Sequence, residues 1–582
     1  DSIGYYTTAY KYINGSGTLY GTSYTTDDII GVALNLDDNQ VTFYKNGVSQ
    51  GAISYTFSGN NILPAASDAL GNNTSTYTFN FGQDSSFDGA KTPQGNTDDN
   101  GRGDFYFSPP SGYLSLCTQN LPTPTIDPAG GDTSDEYFNT VLYAGNNSTN
   151  NITGVGFQPN WVWLKNRSSN STSHRLYDSV RGPHKALFST ATNAEFDESG
   201  WGLDSFDSDG FTLLDDATNR LYFNQTGQSY VAWNWLAGGA TPSQTYTVKV
   251  VSDSGNKYRF NDFGTSAVTL DLQEGGTYVF DQSDSSNSGH PLRFSSTSDG
   301  THGGGSEYTT GVTTEGTPGS AGAKTTIVVA ASAPTLYYYC SVHSGMGGQA
   351  NTNSTFGSSN FDGTVQSTVS ENTKAGFSIV TWTGDGSTSN TIGHGLGAKP
   401  DLAIYKRLDN TSDWYAIYDV FDGSFDRLKL NDTSTYANAA GYGTMLDTNT
   451  ISNFSWPSGS SILAYCFRTI DGYSKVGTYT GNGELTNGTF VYTGFRPAWI
   501  LIKTINAASQ NWIIFDNKRL GYNAGNRYLL PSASNAESTN NFLNIFSNGF
   551  KLKTNGPGFN GNNNDYFYVA FADQPFKYAN AR

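Results

Sequence analysis

Apolar and polar residues alternate in short runs along the whole chain, and clusters of Gly, Asn, Asp, Ser and Thr separate the runs. That pattern predicts β-strands with one buried face, joined by tight turns. Near the start, two alternating runs flank Asp37-Asp38-Asn39, which reads as a hairpin, and Lys45-Asn46-Gly47-Val48 adds a second turn. Tyr246-Thr247-Val248-Lys249-Val250, Thr277-Tyr278-Val279-Phe280 and Thr325-Thr326-Ile327-Val328-Val329 are further strand candidates. No run of eighteen apolar residues occurs, so no membrane-spanning helix is expected, and no charged-then-apolar leader marks a signal peptide. The first residue is Asp1 rather than Met, and the chain is expected to begin inside a domain.

A repeat organises most of the remainder. Gly156-Phe157-Gln158-Pro159-Asn160-Trp161-Val162-Trp163-Leu164-Lys165 returns as Gly397-Ala398-Lys399-Pro400-Asp401-Leu402-Ala403-Ile404-Tyr405-Lys406 and as Gly494-Phe495-Arg496-Pro497-Ala498-Trp499-Ile500-Leu501-Ile502-Lys503. Thirteen residues after each Lys stands an aromatic-Asp pair, at Tyr177-Asp178, Tyr418-Asp419 and Phe515-Asp516. Each copy closes on a matching strand, Val231-Ala232-Trp233, Leu463-Ala464-Tyr465 and Val569-Ala570-Phe571. Ser208-Asp209-Gly210-Phe211 and Ser547-Asn548-Gly549-Phe550 mark a further strand in the first and third copies, which the middle copy lacks. Copies of about one hundred residues built from short strands point to three homologous β-sandwiches. The repeated Lys and Asp read as a strand-end Lys and a turn-capping Asp. Trp161, Trp163 and Trp499 read as core or inter-sheet residues.

Composition agrees with an all-β, multidomain string of sandwiches. Charged residues make up 14% of the 582 and aromatic residues another 14%, with 67 Gly. The net charge of -18 excludes a nucleic-acid partner, because phosphate binding needs clustered Lys and Arg. Cys117, Cys340 and Cys466 lie far apart, so no disulfide framework is expected. Asp-rich turns such as Asp37-Asp38 could hold calcium, although no dense run of alternating oxygen donors occurs. No paired-carboxylate, His-Glu-x-x-His or Gly-x-Ser-x-Gly constellation is recognisable, so no enzyme activity is expected.

The candidate chemistry lies between the first two copies. Gly289-His290-Pro291 is followed fifty residues later by Cys340-Ser341-Val342-His343-Ser344-Gly345-Met346, a Cys-x2-His-x2-Met spacing. One thiolate, two imidazoles and a thioether are the donors of a mononuclear copper centre with an axial Met. The chain holds only three Cys, six His and two Met, and four of these eleven fall in this order. Residues 244–350 resemble the cupredoxin family, most nearly its amicyanin-type and plastocyanin-type members with a short ligand loop. The resemblance implies a Greek-key sandwich in which His290, Cys340 and His343 are equatorial copper ligands and Met346 is axial. His302 reads as a solvated loop residue rather than a fifth ligand.

The Asp-rich turn with Val41-Thr42-Phe43-Tyr44-Lys45-Asn46-Gly47, together with Phe79-Asn80-Phe81-Gly82-Gln83, resembles the C-terminal part of a SPRY domain, a concanavalin-like sandwich that binds through its loops. The expected order is a SPRY-like part at 1–121, a Pro-rich linker at 122–133, a first repeat at 134–240, the cupredoxin-like domain at 244–350, a linker at 351–372, and repeats at 373–471 and 472–582. Sandwiches on short linkers predict an extended rod. The repeat, with its terminal Ala570-Phe571-Ala572-Asp573-Gln574-Pro575-Phe576, resembles tail-fibre or appendage proteins of marine tailed phages. That resemblance implies a virion or extracellular setting and a structural or adhesive role. Its partners would be a host cell-surface glycan or protein, other virion proteins and further copies of the chain, a trimer among the options. Two alternatives remain open: a secreted or periplasmic type 1 copper electron-transfer protein, and a glycan depolymerase.

Overall fold

The computed structural model describes residues 2–57, 62–67, 76–215, 218, 220–352, 356–439, 441, 444–454, 456–519, 523 and 527–579. Among them the only α-helix is the single turn Arg220–Phe223; every other regular element is a strand or a short 3-10 turn. The chain is all-β, as its alternation predicts, and it divides into two compact units, Asp1–Thr123 and Pro124–Arg582. Asp1 itself, where the sequence suggests a truncated domain, lies outside the described residues.

In the first unit, strands Ile30–Asn35, Gln40–Lys45 and Val48–Ser54 form one antiparallel sheet, and Ile3–Tyr5, Tyr10–Ile13 and Ser16–Leu19 form another. Asn46 and Gly47 both take positive φ, 47° and 79°, as a two-residue hairpin turn requires. The alternation of the central strand turns Val41 and Phe43 inward, where they meet Tyr5, Tyr20 and Ile53.

In the second unit each repeat builds the same four-strand order. It runs Phe138–Ala144, Ser229–Trp235, Trp161–Asn166, Arg175–Asp178 in the first copy, and Phe377–Thr383, Ser461–Phe467, Leu402–Arg407, Tyr415–Tyr418 in the second. In the third it runs Ser474–Thr480, Asp565–Pro575, Phe495–Thr504, Ile513–Asp516. The Lys strand sits in the middle of each sheet and is buried on both faces, which is why it reads as a nearly unbroken apolar run.

The three copies do not trail along a rod. One apolar cluster contains Trp161, Trp163 and Trp233 of the first copy, Trp414 and Tyr465 of the second, and Trp499, Trp512 and Phe571 of the third. Trp161 stacks on Tyr465 at 4.4 Å between ring centroids, Phe138 on Phe571 at 5.2 Å, and Tyr418 meets Phe567 at 4.6 Å. Backbone bonds close the circle: Glu195 N–H donates to Leu408 O (2.8 Å), Tyr436 N–H to Ile505 O (3.0 Å) and Glu537 N–H to Arg167 O (2.8 Å). The acceptors each lie two residues past the repeated Lys, so the same bond is made from copy one to two, two to three and three to one. Short linkers predict separate sandwiches, but sheets with large aromatic side chains on both faces must bury the second face somewhere, and here they bury it on one another.

A second ring of contacts follows the same circle. Trp414 Nε1 donates to Phe188 O (2.9 Å) and Trp512 Nε1 to Lys429 O (2.7 Å). His174, opposite Lys165 in the hairpin as those tryptophans are opposite their lysines, faces the Leu530 backbone, though its Nε2 completes no hydrogen bond. Tyr465 OH donates to Asp178 (2.7 Å), and Trp233 Nε1 to Asp516 (3.0 Å). Phe571, at the matching place in the third copy, has no donor.

The strand register explains this gap. Asp178 pairs across from Trp161 and Asp516 across from Trp499, but it is Tyr418 that pairs with Leu402. The middle hairpin is one residue shorter, so Asp419, although thirteen residues from its Lys, falls one place beyond the joint and pairs with Lys399 instead. The turn-capping role holds for Asp178 and Asp516, which accept from Arg181 N–H and Arg519 N–H and ion-pair with those side chains at 2.6 and 2.5 Å.

The lysines stand at strand ends, as expected, and are buried there. Lys165, Lys406 and Lys503 are all 0% exposed and are held by carbonyl oxygens, among them Ser534 O (3.2 Å) and Thr192 O (3.0 Å) from neighbouring copies and Gln510 O (2.5 Å). Burial pushes them down to about 7, about 8 and about 8 respectively.

Between copies one and two the chain makes a two-sheet insert. Strands Asn256–Phe260, Ser243–Ser252, Thr277–Asp281, Lys324–Val328 and Val312–Glu315 form one sheet, and Leu270–Asp271, Gly348–Asn351, Leu336–Cys340 and Leu292–Ser295 the other. Both sheets are mixed, with Ser243–Ser252 parallel to Thr277–Asp281 and Leu270–Asp271 parallel to Gly348–Asn351. Tyr246, Phe260, Phe280, Phe294 and Tyr338 fill a core of its own.

The expected linker at 351–372 is largely structured; 353–355 lie outside the described residues. Ser358–Asn360 and Ser367–Asn372 extend the second copy's sheet, and Tyr246 OH to Ser359 O (2.8 Å) and Thr368 Oγ1 to Asp271 (2.6 Å) fasten them to the insert. Ser358, Ser359, Ser367 and Ser370 are buried, so this segment packs through small hydroxyl residues that read as loop.

The buried lysines predict a pH dependence. Their folded values lie below the ordinary 10.5, so the unfolded chain holds more protons between about pH 7 and 10.5 and stability rises with pH there. Each contributes at most about 1.4 kcal/mol per pH unit. Melting temperature should increase from pH 7 to 9 in the wild type, with a shallower rise in Lys165→Met; equal slopes would show that Lys165 keeps an ordinary affinity for its proton.

Candidate metal centre

Strands Leu292–Ser295 and Leu336–Cys340 pair so that Leu292 stands opposite Cys340. His290, two residues before Leu292, therefore lies beside the end of the cysteine strand. The following turn carries His343 back over the same point. Cys340 Sγ is 3.9 Å from His290 Nδ1 and 3.8 Å from His343 Nδ1, and the three donor atoms lie within 4.8 Å of one another. Two ligands at about 2.0–2.1 Å (nitrogen) and 2.3 Å (sulfur) from one ion would be about 3.6–3.8 Å apart at tetrahedral to trigonal angles. The pocket is thus dimensioned for a metal with little rearrangement.

Among the described residues this is the only cluster of three or more His, Cys, Asp or Glu side chains arranged to hold an ion. Cys340 is fully buried, His290 partly buried and His343 exposed. Burial, and then the neighbouring His343 ring, hold His290 below the usual imidazole value, which favours the neutral form that a metal needs. Met346, 1% exposed, belongs to the same core cluster as Cys340. The structure thus brings three of the four expected ligands together and buries the fourth in the adjoining core.

The surrounding bonds hold this geometry. Gln282 Nε2 donates to His290 O (2.9 Å), while Gln282 Oε1 accepts from Leu292 N–H (3.1 Å). His290 N–H donates to Asn287 O (2.8 Å), and Ser341 N–H to Pro291 O (3.1 Å). Asp299 accepts from Gly345 N–H (2.8 Å). His302 is exposed, as expected, yet its Nε2 lies 3.0 Å from Cys340 O and so steadies the cysteine's backbone. Gly347 is required by close approach: a Cβ there would stand 1.6 Å from Tyr338 O. Sequence reasoning missed Gln282 and the bond of His302 to the cysteine's backbone, because a buried glutamine and a loop histidine carry no spacing signal.

Comparison with known families gives two matches. Residues 1–84 match the SPRY domain, which supports a concanavalin-like, protein-interaction module there. Residues 133–261 and 350–575, more than half of the chain, match the family described as "Domain of unknown function (DUF7483)". The chain belongs to the DUF7483 family. No curated protein and no solved structure matches it. The DUF7483 match covers all three repeats and breaks off between 261 and 350, so His290, Cys340, His343 and Met346 all fall in the interval.

Substitution of Gly347 by Ala should separate the ligand loop from the cysteine strand. We expect a loss above about 2 kcal/mol by chemical denaturation, the scale of a core steric defect. Unchanged stability would mean that the turn relaxes freely.

Proposed function

We propose that this DUF7483 protein is a structural and recognition component of a virus particle, displayed outside cells, whose insert binds one copper ion. The observation that carries the metal assignment is the convergence of His290, Cys340 and His343 at separations suited to a single ion. A thiolate with two imidazoles is a soft, mixed donor set that suits copper better than calcium or magnesium. When bound, copper would supply a coordination link between the two segments and a one-electron redox couple. The protein's part is to hold the donors and keep water from Cys340.

The recognition reading is supported by the SPRY module and by the repeats, whose lysines, ion pairs and tryptophans are spent on burial and joints rather than on a catalytic cleft. The partner would be a cell-surface glycan or protein met by SPRY loops. In this setting copper acts as a clamp. Binding to the native state alone stabilises it by mass action, about 2.7 kcal/mol at a hundredfold excess over Kd. Electron transfer is the second reading, and the exposure of His343, beside Val342 at 57% exposure, favours it.

Titrating the full-length chain with Cu(II) should produce an intense thiolate-to-copper absorption at one equivalent and raise the melting temperature. Cys340→Ser should lose both effects while melting like the wild type without metal. Failure of the wild type to bind copper defeats the proposal. A reversible potential supports the electron-transfer reading, whereas irreversible reduction leaves the clamp.

A further inference from the structure

The two segments that supply ligands belong to one sheet of the insert, and something on the other sheet must fix their separation. Tyr258 stands in that other sheet, on Asn256–Phe260, where it pairs with Val250. It is 0% exposed. Its backbone N–H donates to Met346 O (3.0 Å), and its carbonyl accepts from Ala267 N–H (2.8 Å). Its phenol OH donates to His290 O (2.9 Å) and lies beside the Cys340 thiol. One residue thus touches the segments of three expected ligands, at both ends of the ligand order.

We propose that Tyr258 is a positioning residue of the metal centre, a cross-sandwich strut that sets the distance between His290 and the Cys340–Met346 loop. This inference rests on the copper reading above. The bond to His290 O restrains one ligand's backbone, which limits the entropy lost when a metal is captured. The neighbours support the arrangement: Lys257 Nζ donates to Gly345 O, so two consecutive residues of one strand hold the loop.

The test compares Tyr258→Phe with Tyr338→Phe in the full-length chain. Tyr338 lies on the cysteine strand itself, is 1% exposed in the same core, and its OH donates to Val268 O (2.6 Å), so its variant loses a comparable buried bond while His290 O keeps its donor. Both variants should fold and show similar, small drops in metal-free melting temperature. Tyr258→Phe alone should bind Cu(II) about 10- to 100-fold more weakly, with a shifted thiolate-to-copper band. If the two variants change affinity and band equally, or neither changes them, Tyr258 is an ordinary core residue and the inference fails while the copper reading stands. If the wild type takes up no Cu(II), the copper reading itself falls, and this assignment with it. Should Tyr258→Phe not fold, Tyr258→Trp with the same Cu(II) readouts replaces it; it refills the core but supplies no hydroxyl to His290 O.

Discussion

Residues 124–582 depend on closure of the three joints between repeats. Each joint is made of the same backbone bond, two residues past the buried lysine, and of an aromatic ring seated on the next copy's sheet. A sheet that is apolar on both faces cannot stay in water. Three copies can cover one another only if the last returns to the first, and Glu537 N–H to Arg167 O makes that return. Closure helps explain why lysines can be buried without carboxylate partners: for Lys165 and Lys406, two copies present carbonyl oxygens to the ammonium. It also explains why one joint can lack the aspartate contact, since the other two and the aromatic core hold the circle.

The insert that carries the candidate metal centre interrupts this circle in sequence but not in space. Its strand Ser243–Ser252 follows the closing strand of the first copy, and the return segment at 358–372 becomes edge strands of the second copy's sheet. Hydrogen bonds from Tyr246 OH and to the Asp271 carboxylate tie that return segment to the insert. The donors themselves are held by Gln282, Asn287, Tyr258 and Asp299, all on elements of the insert. These bonds fix the donor geometry within the insert itself.

The repeat was legible because its motif combines a Pro, a run of apolar residues and a Lys at fixed offsets. The candidate ligands were legible because Cys, His and Met are rare in this chain. The closed circle was not. Its bonds join residues 69 to 370 positions apart, use backbone groups that leave no trace in composition, and place His174 where the other copies have tryptophan. The equal Lys-to-Asp spacing even misled, because a hairpin shortened by one residue kept the count and changed the register. Serine-rich strands at 358–372 were lost for a related reason: small hydroxyl residues pack inside a sheet as readily as they fill a loop.

Hydrogen exchange at the backbone amides of Glu195, Tyr436 and Glu537 tests the closed circle most directly. If the three copies form one cooperative body, these amides exchange at a common slow rate, matched to the buried strand amides of Trp163, Tyr405 and Leu501. Exchange at one joint far faster than at the other two, with its flanking strands still protected, would show that the copies open independently and that the circle is not the unit of stability.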